Sequence, residues 1–269
     1  MTDRFDVRQY WERRLGEQYS LAGVGYLRLG RQYNGWMYRI RARVFSRLVA
    51  GLGLPMAGKE VLDIGSGTGF YVDQWRQLGV ARVTGLDITQ VAVDALGLRF
   101  PDDRFYRADI GRTLSSDLPL APGSFTAVSA MDVLFHIVED TEYATALTNI
   151  AGLLAPGGWF IWSDNFLRHG TERVLHQASR SLADSERLVR QAGFEIVDRV
   201  PMFVLMNYPA DTRSRLARLG WTAMVAPAAV AEPLGWLVGA VLYPLERWLT
   251  ATCRESWSTE IMICRKPAG

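Results

Sequence analysis

The sequence predicts an α/β fold, a mostly parallel sheet with helices on both faces, and three observations carry that prediction. From residue 59 onward, short apolar runs alternate with helical patterns, the order a sheet covered on both sides requires. Glycine or proline punctuates the junctions between them. The segment from Glu60 to Ile88 joins an apolar strand, a glycine turn opening a helix, and a second strand ending in an acid. That acid, Asp87, lies 22 positions after Gly65. This is the geometry of a nucleotide cradle. The turn lets the backbone approach a ligand, and the distant carboxylate can accept both hydroxyls of a ribose.

The elements follow in order. Residues 4–50 read as helix in two pieces, broken around Ser20 to Gly23. In the second piece Tyr33, Met37, Ile40, Val44 and Leu48 recur every three or four residues as one apolar stripe, which Gly51, Gly53 and Pro55 end. Strands are predicted at 60–64, 82–87, 104–108, 124–131 and 158–163, and helices at 69–78, 90–99, 141–154 and 182–192. Thr89 is placed to N-cap the second of these helices, and Pro156-Gly157-Gly158 separates the third from its strand. Two late strands are expected at 194–205 and 257–265, with a helical insertion rich in Trp, Leu and Ala at about 206–256 between them.

Composition narrows the function classes. A chain of 269 residues forms one substantial core, and 49% hydrophobic with 22% charged residues is ordinary globular usage. A net charge of +2 gives no reason to expect a nucleic-acid partner. The first 50 residues carry ten Arg against four acids, which reads first as a solvated helix face and leaves peripheral membrane contact open. Cys253 and Cys264 match no metal or disulfide pattern, so no metal is expected. The opening residues show no apolar signal region, and the uncharged stretch Pro233–Leu245 has 13 residues where a bilayer crossing needs about 20. The expectation is a cytoplasmic protein with no transmembrane segment; its oligomeric state is not legible.

The ligand is narrowed by two details. A dinucleotide fold favours a third glycine three positions after the second, but Phe70 stands there and the spacing is Gly65-x-Gly67-x-Gly69. Asp63 closes the first strand two residues before the turn, where it would repel a pyrophosphate and favour a cationic, phosphate-free ligand. S-adenosylmethionine (SAM), with an ammonium, a sulfonium, a ribose and an adenine, has that character.

On these residues the chain resembles the class I SAM-dependent methyltransferases. Val61 to Gly69 is similar to the first motif of that family, Gly85-Leu86-Asp87-Ile88 to the second, and Arg107-Ala108-Asp109-Ile110 to the third. Ala130 to His136 resembles the end of the fourth strand, and Leu153 to Gly158 the turn before the fifth. The resemblance covers roughly residues 58–200 and the last strand. It implies a Rossmann-like seven-stranded sheet, with the last strand antiparallel, and SAM as cofactor.

The resemblance also implies roles. Asp63 would face the amine, with Gly65, Ser66, Gly67 and Gly69 lining the amino-acid end. Asp87 would take the ribose, Ile88 would lie on the adenine, and Asp109 and Ile110 would bond its edge, with Met131 where the methyl emerges. The family's N-terminal segment commonly closes over the cofactor, so residues 1–50 are expected as a helical lid, with Tyr10, Trp11, Tyr19 and Tyr33 as candidates. Residues 51–269 then form the SAM-binding domain, with 206–256 as a substrate cap.

Methyl transfer from a sulfonium is an in-line displacement in which the protein positions the nucleophile, excludes water and manages one proton. His136, just past the fourth strand, is the first candidate base and His169 the second; His176 reads as a surface residue. The expected acceptor is a small or medium hydrophobic molecule methylated at oxygen, bound against the apolar residues of 206–256. Carbon methylation of an isoprenoid or other lipid-like substrate, and non-catalytic SAM binding, remain the alternatives at this stage.

Overall fold

A computed structural model describes residues 5–54 and 56–268. Residues 1–4 of the expected lid, and Pro55 of the expected helix terminator, lie outside the described residues.

The sheet has seven strands. They are β1 (Glu60–Ile64), β2 (Arg82–Asp87), β3 (Arg104–Arg107), β4 (Phe125–Met131), β5 (Leu154–Asp164), β8 (Glu195–Pro201) and β9 (Glu260–Arg265), and the order across the sheet is β3-β2-β1-β4-β5-β9-β8. A hairpin of β6 (Glu172–Val174) and β7 (Gln177–Ser179) stands apart. The first five strands run parallel, and β9 is antiparallel to both neighbours. Strand order reverses between β1 and β4, and a crevice beyond the carboxyl ends of strands at such a reversal is where ligands bind in open α/β sheets.

Helices α4 (Phe70–Gln77), α5 (Gln90–Arg99), α6 (Asp140–Leu153) and α7 (Leu182–Gln191) fall where the periodicity put them. Thr89 caps α5 by accepting from the Ala92 amide. Two apolar layers result. One packs β1 and β4 against Phe45, Val72, Trp75 and Leu96; the other packs them against Tyr143, Leu147, Ile150 and Phe160.

Three sequence readings shift. Strand β5 begins at Leu154, directly after α6, and runs through Pro156-Gly157-Gly158. Lys266 replaces a glycine stop there, its Nζ donating to the carbonyls of Ala151 and Leu154 at 2.6 and 2.7 Å. Strand β8 ends at Pro201, short of residue 205, because the amides of Val204, Leu205 and Met206 turn to the carboxylate of Glu246. The N-terminal segment forms α1 (Val7–Glu17), a single turn α2 (Leu21–Val24) and the long α3 (Gly30–Gly51).

The insertion is helical, as α8 (Arg215–Val230) and α9 (Glu232–Thr252). Both pack on α3. The carboxylate of Glu232 accepts from the amides of Arg31 and Gln32, both at 2.8 Å, so the first turn of α9 caps α3. A Cβ on Gly239 would come within 2.2 Å of the Trp36 indole; glycine is what lets the two helices approach.

Glu246 has 0% exposure, and its three amide contacts at 2.6, 2.8 and 3.3 Å join α9 to the loop after β8. Glu246→Ala is expected to lower the unfolding free energy by about 2–4 kcal/mol, read as a lower urea midpoint at unchanged m-value, because buried amides lose their acceptor.

Candidate active site

A cavity of about 810 Å³ opens at the strand-order reversal. Its floor is the turn after β1. The Gly65 and Ser66 amides both donate to the Leu86 carbonyl, at 2.7 and 3.2 Å, folding the chain back over β2. Gly65 has φ of 68°, and a Cβ there would meet Val133 Cγ2 at 2.3 Å, so only glycine fits. Gly67 turns its amide to Asp87 Oδ2 at 2.8 Å. Gly69 lies behind the turn, against Leu96 and Phe100.

Asp63 is buried beneath this turn. Its Oδ1 accepts from Ser129 Oγ at 2.6 Å, and that hydroxyl in turn receives Trp75 Nε1 at 2.9 Å. Burial pushes the Asp63 carboxyl up to about 7, against the pull of its hydroxyl partners. Asp87 is also buried, and burial raises it while bonds from Thr89 and Gly67 oppose the shift. Its Oδ1 accepts the Thr89 amide and hydroxyl at 2.9 and 2.7 Å, which fixes the carboxylate at the end of β2. Asp109 Oδ1 accepts the Gly111 amide at 3.0 Å and Oδ2 pairs with Arg112 at 3.1 Å.

The structure brings Gly65, Ser66, Gly67, Asp87, Ile88, Asp109, Ile110, Met131 and His136 to the cavity wall, while Asp63 and Gly69 support it from behind. This donor set fits the adenosyl cofactor the motifs imply. Acids stand along the crevice, and the apolar Leu86, Ile88, Ile110 and Met131 offer a dry wall to a flat ring.

His169 does not line the cavity. Its Nδ1 lies 2.9 Å from Asp211 and its Nε2 3.0 Å from Glu172, so both ring nitrogens are taken up in a latch between the β6–β7 hairpin and the loop before α8. His169, the second candidate base, thus stands apart from the cavity that His136 lines. His136 does line the cavity. Its Nδ1 sits 3.0 Å from the His176 carbonyl, which only accepts, so the proton is on Nδ1 and Nε2 carries a lone pair. Burial pulls its pKa down to about 4, so the ring is neutral at physiological pH.

The apolar residues of 206–256, expected to bind an acceptor, are absent from the cavity wall. That side is built instead from Trp11 and Leu15 of α1, Tyr38 and Arg41 of α3, and Phe70 and Tyr71 of α4. Trp11 meets His136 edge-on at 5.0 Å, and Tyr38 meets Phe70 at 4.7 Å. Of the lid candidates, Tyr19 donates to the Gly67 carbonyl at 2.9 Å, and Tyr10 stacks near His176 at 5.7 Å. Tyr33 is core; its hydroxyl donates to the Met206 carbonyl and it is wholly buried.

Sequence reasoning missed the Arg41–Asp132 ion pair on the cavity wall. Burial opposes the Arg41 charge, and the Asp132 carboxylate together with Tyr71 and Tyr38 outweighs it, so its pKa ends above the usual value. Asp132 has φ of 59°, uncommon for a residue with a side chain, and is held there by Ser163. The Ser163 hydroxyl accepts the Asp132 amide and donates to Oδ1, both at 2.8 Å. The signal was present, since Arg41 adjoins the buried stripe Met37–Ile40–Val44. Glu12 was missed as well. Its carboxylate accepts the Gln90 and Val91 amides at 2.9 and 3.0 Å, docking α1 on the N-terminus of α5.

The family model for a methyltransferase domain matches residues 62–162. A ubiquinone biosynthesis O-methyltransferase of Thiobacillus denitrificans is 30% identical over 187 residues, covering 59% of this chain and 76% of that protein. The one from Albidiferax ferrireducens is 32% identical over 149 residues, covering 51% of this chain; the match spans little more than half, 56%, of that protein's own length. The N-methyltransferase NodS of Bradyrhizobium japonicum, solved with S-adenosylhomocysteine, superposes with a TM-score of 0.56 at 14% identity, over 98% of this chain and 100% of that one. At that identity the likeness is one of fold.

Glu12→Ala, which frees α1 from α5, is expected to weaken cofactor binding about tenfold by titration calorimetry. An unchanged Kd would show that α1 does not cover the crevice.

Proposed function

Because the chain belongs to the class I SAM-dependent methyltransferases and takes SAM as its cofactor, we propose that it methylates a hydroxyl of a small or medium hydrophobic acceptor. The observation that carries this reading is a neutral His136, its Nε2 unprotonated, at an aromatic wall continuous with the glycine crevice. Bound SAM supplies a methyl group on an electrophilic sulfonium carbon. The relatives named as O-methyltransferases support an oxygen acceptor.

The chain's own residues then divide the work. Asp63 presents a carboxylate under the amino-acid end, Asp87 the acceptor for a sugar diol, and Asp109 with Ile110 the edge facing the base. Trp11, Tyr38, Phe70 and Tyr71 exclude water and hold an apolar acceptor by its faces. An acceptor hydroxyl held at this wall would give up its proton to His136 Nε2 as its oxygen takes the methyl group. The nearby Asp132 carboxylate favours the resulting imidazolium. Arg41 holds Asp132 in place.

Asp63 gives this reading a pH signature. With its carboxyl raised to about 7, it is protonated in the free protein below that pH, and a cationic ligand favours the ionised form. Binding below pH 7 therefore releases a proton, and SAM affinity is expected to climb up to about tenfold per unit from pH 5 to 7 and to level off above. Calorimetry in buffers of different ionisation enthalpy counts that proton; Asp63→Asn should abolish it.

The function itself is tested with methyl-labelled SAM and a panel of phenols, catechols and long-chain alcohols. Label is expected as an O-methyl ether, and His136→Ala is expected to lower kcat about 10²–10⁴-fold with SAM affinity intact. Label on carbon, or near-normal turnover of the variant, overturns the assignment.

A further inference from the structure

The helical hairpin α8–α9 packs one side into the core and leaves many apolar side chains of the other exposed. On α9, Trp236, Leu237, Val241, Leu245 and Trp248 are 50, 53, 64, 45 and 60% exposed, and recur along one outward side of the helix. On α8, Leu216, Leu219 and Val230 are 81, 64 and 79% exposed. Helices of a water-soluble surface put charge on that side; these put tryptophan, leucine and valine there.

The flank of this face is basic. Helix α3, packed along α9, is free of acids and exposes Arg39, Arg43 and Arg47 one turn apart. Arg39 lies over Trp36 at 4.0 Å, Trp36 meets Trp236 at 6.0 Å and Tyr243 at 5.1 Å, and Arg247 lies over Tyr243 at 5.7 Å. Cationic edge and apolar face are thus one continuous surface. Arg213 and Arg215 add exposed charge at the start of α8. The three helices carry two acids and both are engaged: Glu232, itself exposed, on the first amides of α3, and the buried Glu246 on the loop after β8.

We propose that the outward face of α8–α9, with its arginine flank from α3, docks on an anionic lipid surface. Apolar side chains bordered by arginine, with tryptophan at the edge, are what an in-plane interfacial helix presents to headgroups and upper acyl chains. The hairpin lies on the surface and does not cross it. No helix among the described residues is long and apolar enough to span a bilayer, and α9 is pinned to the protein by Glu246. A second copy of the chain is the poorer occupant. A two-fold contact through this face would set identical arginine rows near one another, and the one exposed acid of the three helices, Glu232, is already engaged by two amides of its own chain. The docking stands apart from the acceptor assignment, since none of these residues lines the cavity except through the far side of α3.

The test is co-sedimentation of the purified protein with sucrose-loaded phosphatidylcholine vesicles, with and without phosphatidylglycerol, at low and high salt. Sedimentation with the anionic vesicles, reversed by salt and accompanied by a blue shift of tryptophan emission, is expected. Leu237→Ser with Trp248→Ser should abolish it. Arg39→Gln, Arg43→Gln and Arg215→Gln should each weaken it about fivefold. Because all five positions are solvent-exposed, melting temperature and SAM affinity serve as controls that the variants fold. Protein left in the supernatant with both vesicle types overturns the proposal, as does equal binding to neutral vesicles. A dimer in vesicle-free solution that Leu237→Ser dissociates would assign the face to a second copy instead.

Discussion

One short polar chain inside the apolar interior sets the rest of the site: Trp75 of α4 donates to Ser129 of β4, which donates to Asp63 of β1. Helix and two adjacent strands are locked in register by it, and the carboxylate is kept directly beneath the glycine turn. Each member needs the others, because a buried carboxyl without donors, or a buried indole N–H without an acceptor, would cost free energy. The position of the turn, and with it the crevice between β1 and β4, follows from this arrangement.

The second half of the site is assembled from outside the sheet. Helix α1 reaches it by way of Glu12 on the first amides of α5, and α3 by way of Arg41 on Asp132. Both contacts join an N-terminal helix to the carboxyl ends of strands or to the helix start just beyond them. The aromatic wall around His136 therefore depends on electrostatic clasps between segments far apart in sequence. A dry pocket built that way opens if either clasp is released.

Legibility in the sequence followed the range of the interactions concerned. Gly65, Gly67 and Asp87 could be read because a strand–turn–helix–strand unit fixes their spacing locally, and the stripe Tyr33 to Val44 because helical period alone decides which side is buried. His169 could not be placed: adjacency to the end of β5 says nothing about direction, and the partner Asp211 lies 42 residues away. The β6–β7 hairpin went unseen because its strands are three residues each and carry no apolar alternation. The insertion at 206–256 was legible as helix but not as to which side faces what. Its apolar residues form both the contact with α3 and the outward face, and composition does not separate the two.

The place of β9 in the sheet has a consequence for synthesis. β8 reaches the other strands only through β9, and 59 positions separate Pro201 from Glu260. At about 5–20 residues per second, a ribosome takes roughly 3–12 s to cover that distance. Throughout that interval the outer edge of β5 has no neighbour, while the greasiest helices of the molecule are emerging beside it. The nascent chain thus passes through an aggregation-prone state between the synthesis of β8 and that of β9, and it is there that a chaperone has much to protect.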